Sequence, residues 1–205
     1  MKRTLELGLA GAALVTLVTA SASATVMIEY ALEELVGGAD AVVHATVVQS
    51  RVRMVLDGEG GMAPETLTTL RVHEWIAGPG GATVELRELG GVYPGGGLRY
   101  DGTPEYAVGE EVVVFLERRH EAPHDLRTLG MAQGKFIVRQ GLGGVPSTVR
   151  RDLTGIAFAR WRDGVQTVVH PCDGATSARC EQPGMDLHGF LDYVRRVRRD
   201  LRGAQ

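Results

Sequence analysis

The stretch that most constrains this chain runs from Gly90 to Arg139. A glycine-rich loop, GGVYPGGGLRYDGTPEYAVG, opens almost directly into Val112 to Leu116, VVVFL. Five consecutive apolar residues, mostly β-branched and bounded by turn signals, predict a strand buried on both faces. It reads as the central strand of a sheet, spanning Glu111 to Glu117. A second apolar stretch, LRTLGMAQGKFIVR, follows a polar break. Leu126 to Met131 and Lys135 to Gln140 read as further strands, with Gly134 as a bulge or sharp bend between them.

The segments before the loop alternate with the period of strands. In Ala41 to Met54, Val43, Ala45 and Val47 oppose His44, Thr46 and Val48. Glu65 to Ile76 sets Leu70, Val72 and Ile76 on one face. Ala82 to Leu89 sets Val84, Leu86 and Glu88 on one face. A short helix is expected over Glu29 to Val36, stopped by Gly37 and Gly38. Arg118 to Asp125 reads as an exposed polar loop. Shorter strand candidates are Ser147 to Arg151, Ile156 to Trp161 and Gln166 to Val169. From Met185 to Leu201, Asp186 is placed as a helix N-cap, and Leu187, Phe190, Leu191, Val194, Val197 and Leu201 form one helical stripe. Strands follow one another in meander fashion, with no strand–helix alternation. The expected fold is therefore mainly β: a small antiparallel barrel with a short N-terminal helix and a C-terminal amphipathic helix.

The first 24 residues read as an export signal. Lys2 and Arg3 precede the apolar Leu7 to Val18, and Ala22-Ser23-Ala24 is a small-residue cleavage site. The expected mature start is Thr25. Residues 25–150 are then expected to form the barrel, and 151–205 an extension whose helix packs on it. Loss of the signal takes the formal charge from −3 to −4. A mildly acidic chain does not suit nucleic acid as its main partner, and no later segment has the length and apolarity to cross a membrane. In an exported chain Cys172 and Cys180 are expected to pair, pinning a small loop. The arginine-rich end of the last helix reads as a solvated face.

No motif here names a reaction, and no cofactor is expected. HExxH and paired Cys-x-x-Cys are absent. His120 and His124 have the spacing of a ligand pair, but Pro123 places them on a loop. His73 and Glu74, adjacent in a strand, should point to opposite faces. His44 reads as structural and His170 as the start of a turn. Ser50, Ser147 and Ser177, the serines after the signal, lie in no nucleophile motif. Glu110 and Glu111 read as a solvated strand end. GEGG and GLGG lack the lysine and hydroxyl of a phosphate loop. Lys135 stands out because it is the one lysine after the signal, in a chain that otherwise uses arginine.

LEELVGGADAVVHATV (Leu32 to Val47), Gly90-Gly91, VGEEVVVFL (Val108 to Leu116) and GMAQGKFIV (Gly130 to Val138) resemble a family of exported bacterial proteins of uncharacterised function. The resemblance implies an OB-like barrel, similar in fold type to tissue inhibitors of metalloproteinases and the netrin module. Those inhibitors chelate zinc through an N-terminal cysteine. The expected start, Thr25-Val26-Met27, has none, so that mechanism does not transfer. The expectation is a non-enzymatic binding module presenting Tyr93, Tyr100 and Tyr106 to an extracytoplasmic protein or glycan. The alternatives are a protease-associated inhibitor, or an enzyme using His120, Glu121 and His124.

Overall fold

The structure is a computed structural model that describes residues 25–57, 60–120, 122–153, 156–162, 165–169 and 185–203. The expected export signal, Glu121, His170, Cys172, Ser177 and Cys180 lie outside the described residues, and with them the expected disulfide.

The fold is mainly β. Strand β1 (Thr25–Ile28) leads to helix α1 (Leu32–Gly38), then to two long strands, β2 (Ala41–Leu56) and β3 (Met62–Ala77), and to β4 (Thr83–Leu89). The glycine loop carries a small hairpin, β5 (Gly91–Tyr93) and β6 (Gly96–Leu98). Strands β7 (Glu111–Arg119) and β8 (Ala122–Thr128), a 3₁₀ turn (Met131–Gly134), and strands β9 (Lys135–Arg139) and β10 (Thr148–Arg150) follow. The chain continues through β11 (Ile156–Arg162), β12 (Val165–Val169) and β13 (Met185–Asp186) into helix α2 (Leu187–Gly203).

One sheet has the order β13-β10-β9-β7-β2-β3-β4-β8, and β8 also pairs with β7. Its pairings are antiparallel except β4–β8, which is parallel through Leu86 and Leu126. A second sheet, β1-β11-β12, joins Thr25–Ile28 in parallel to Ile156–Ala159.

Strand β7 is buried on both faces, as its unbroken apolar run predicts. Val112, Val114 and Leu116 pack with Val43, Ala45, Val47, Leu70 and Leu86. Val113 and Phe115 pack on the other face with Leu35, Val36, Phe136, Phe190 and Val194, beneath the two helices. The ring centroids of Phe136 and Phe190 are 4.7 Å apart, and those of Phe115 and Phe136 are 5.6 Å apart. Each such ring contributes about 1.5–3 kcal/mol by leaving water. Helix α2 buries Phe190, Leu191 and Val194 from the expected stripe. Asp186 caps it, its Oδ2 accepting the Gly189 N–H at 2.7 Å.

Four expectations are corrected. The first helix begins at Leu32 rather than Glu29, because the Tyr30 N–H is bonded to Gln133 and the Ala31 N–H to Glu34. Arg118 to Asp125 is mostly strand. Its polar side chains find partners on other strands, Arg119 with Glu65 and Asp125 with Arg87, so polarity there marks an ion-paired strand. The strand expected over Leu126 to Met131 ends at Thr128 and gives way to the 3₁₀ turn. Arginines of α2 are also less solvated than their pattern suggests. Arg195 pairs with Glu74, and Arg198 donates to the carbonyls of Val36 and Ala39 at 2.7 and 2.8 Å, satisfying the end of α1.

Candidate functional site

The string Gln133-Gly134-Lys135-Phe136 fastens three parts of the molecule. Gln133 is fully buried and holds the N-terminal segment, accepting from Tyr30 N at 2.8 Å and donating to the Ile28 carbonyl at 3.0 Å. A Cβ at Gly134 would lie 2.2 Å from the Leu129 carbonyl oxygen. The glycine therefore permits a close backbone approach at the end of the 3₁₀ turn, and is not a bulge within a strand. Phe136 joins the aromatic cluster. The Lys135 Nζ donates to Glu110 Oε2 at 2.6 Å and to the Glu105 carbonyl, and sits 4.8 Å from the Tyr106 ring centroid. Burial lowers its pKa, opposed by the Glu110 carboxylate. The lysine is thus a packed structural amine. Glu110 and Glu111 are correspondingly not a bare solvated strand end: Glu110 takes Lys135, and Glu111 takes His44 at 2.6 Å and Gln140.

The glycine loop packs its hairpin over β2 and β3. Gly90 and Gly91 make this possible. Both have positive φ, +85° and +149°, and a Cβ would meet the Leu98 carbonyl oxygen at 2.5 Å or Val52 Cγ2 at 2.6 Å. The loop lines a cavity of about 430 Å³. Val52, Leu89, Leu98, Tyr100, Pro104 and Tyr106 give it apolar walls, and Glu88 lines it as well. A second cavity of about 610 Å³, lined by Lys135 and Glu110, shares the segment Thr103 to Glu105 as its wall.

Glu88 is only 6 % exposed. Its Oε1 accepts from Thr128 N at 2.8 Å and from Thr128 Oγ1 at 2.6 Å, and the Tyr106 hydroxyl is 2.6 Å from that same Oγ1. Oε2 takes no hydrogen bond among the described residues. Burial pushes the carboxyl from 4.5 up to about 7, against the opposing pull of the Thr128 donors and of Arg127. Burial also holds the Tyr106 phenol well above its ordinary range, so it stays protonated. The arrangement is a hydroxyl chain ending on a carboxyl that is half ionised near neutrality. Glu65, the other buried carboxylate among the described residues, is bonded by both Arg53 and Arg119 at 2.7 and 2.6 Å. Glu88 has no such cation.

The three expected tyrosines separate. Tyr100 is 41 % exposed and lines both cavities; Tyr106 is 8 % exposed and lines the smaller one. Tyr93 stands on the β5–β6 hairpin, 37 % exposed, outside both. His120 and His124 are exposed, at the end of β7 and on β8. His73 and Glu74 do not oppose each other. A bulge leaves His73 unpaired between the His44–Glu74 and Ala45–Val72 partners, so His73 bonds Thr46 while Glu74 bonds Arg195, both on the helix-bearing face. Among the described residues no group of three His, Cys, Asp or Glu side chains could hold a metal, and no helix is long and apolar enough to cross a membrane.

The alternation of β4 sets Glu88 in phase with Val84 and Leu86. An acid in register with two core residues is the signal that was available. Among known proteins, no protein-family model matches the chain and no curated protein matches it, so the family resemblance rests on its four short motifs alone.

Proposed function

We propose that this protein is an exported, non-enzymatic binding module built on an OB-like barrel, taking a small ligand beneath the Gly90–Gly109 loop. The pairings β2–β3, β3–β4, β4–β8, β8–β7 and β7–β2 support the barrel. They run round five strands with one parallel contact, the connectivity expected of an OB-like fold. The observation that carries the binding reading is the loop-lined cavity. Its size falls in the range of small-molecule sites, its walls are mostly apolar, and a titratable group stands in it.

A fragment screen read by amide NMR tests this. Hits should converge on the amides of Gly90, Tyr100 and Thr103. A screen in which nothing shifts those residues would refute the reading. General acid–base catalysis by Glu88 is a second reading, favoured by its titration near neutrality. It predicts turnover that is lost in Glu88→Gln while ligand affinity survives.

A further inference from the structure

The cavity has a chemical preference written into its walls. Glu65 is neutralised by two arginines and Glu110 by Lys135, but Glu88, which lines the cavity, has no bonded cation and no donor to its Oε2 among the described residues. Burial without a bonded cation makes ionising this carboxyl costly. A ligand that brings a cation removes that cost. Two tyrosines stand in the same walls, and aromatic faces attract ammonium groups. The molecule already seats one ammonium this way, since Lys135 Nζ rests on a glutamate, a carbonyl and the Tyr106 ring. Arg51 and Arg99 at the rim are each paired, with Glu85 and Glu105 respectively, so they leave the cavity without a net cationic field.

We propose that this cavity is a site for a protonated amine with an apolar body, its ammonium seated on Glu88 Oε2 and its chain lying against Tyr100 and Leu98. The inference rests on the cavity being the ligand site. Binding balances as a proton exchange: the neutral carboxyl releases its proton to solvent and the carboxylate pairs with the ammonium. The charged or titratable groups acting on Glu88 are Arg127 and Glu117 from β8 and β7, with Arg51, Arg99, Glu105 and the protonated Tyr106 around the cavity. Burial holds the Glu88 pKa at about 7. The ionised fraction therefore rises about tenfold between pH 6 and pH 8, and affinity rises with it.

The test is calorimetric titration of the purified protein with hexylamine, 1-hexanol and hexanoate, three probes of one chain length and different charge. Hexylamine remains protonated over this range. Hexylamine should bind best, about tenfold more tightly at pH 8 than at pH 6. It should release a proton to buffer at pH 6, and Glu88→Gln should abolish both its preference over hexanol and its pH dependence. If hexanol or hexanoate binds as tightly as hexylamine at pH 8, the amine inference is overturned while the cavity remains a ligand site. If no probe of any charge binds, and the fragment screen also leaves the cavity amides unmoved, both readings fall.

Discussion

Replacing Glu88 with glutamine should make the protein more stable at alkaline pH. The carboxyl's pKa is 4.5 in an ordinary setting and about 7 in the fold. Because the folded value is raised, the folded chain holds this proton more tightly than the unfolded chain. The resulting stability is fully present below the unfolded value and is lost as pH rises through the folded one. At 1.36 kcal/mol per pKa unit, the loss across that window is about 3 kcal/mol. The side chain is buried, so solvent screening does not reduce this much. Glutamine retains the oxygen that accepts from Thr128 and cannot ionise. Urea unfolding of both proteins from about pH 4 to about pH 8.5 isolates the effect, since other titrating groups cancel in the difference. The stability of the variant relative to the parent should climb by about 3 kcal/mol over that span, mostly between pH 4.5 and 7. A difference that stays flat with pH would refute the reasoning, because Glu88 would then ionise as easily folded as unfolded.

Other expected outcomes concern the frame around the cavity. Lys135→Arg should lower stability by about 1–3 kcal/mol in urea, because a planar guanidinium cannot replace a compact ammonium between Glu110, the Glu105 carbonyl and the Tyr106 ring; an unchanged midpoint would make the lysine incidental. Gly134→Ala should cost about 1–3 kcal/mol by forcing the Leu129 carbonyl away, measurable as a lower Tm. Phe190→Ala empties the helix-side aromatic cluster and should cost about 3–5 kcal/mol in the same unfolding assay.

What the sequence could convey was local. Val112 to Leu116 announces a strand buried on both faces because no polar residue interrupts it, and the stripe of α2 announces its buried face by spacing alone. Where the pattern and the environment disagree, the reading failed. Arg118 to Asp125 is polar and still strand, because Arg119 and Asp125 form ion pairs with Glu65 and Arg87 on other strands. One extra residue at the β3 bulge puts His73 and Glu74 on the same face. The site itself depends on contacts that no local window contains. Glu88 meets Thr128 across 40 positions, and Thr128 meets Tyr106 across 22. Tyr106 was expected as contact surface on the strength of its residue type. Tertiary packing instead makes it a buried wall whose hydroxyl serves the Glu88 chain.

The most direct test of the account is a crystal structure of the protein with hexylamine at about pH 8, where Glu88, with its folded pKa of about 7, is mostly ionised. The predicted result is an amine under the Gly90–Gly109 loop with its nitrogen about 2.8 Å from Glu88 Oε2 and its chain against Tyr100. An empty or water-filled cavity at saturating amine, or an amine bound elsewhere on the surface, would contradict it.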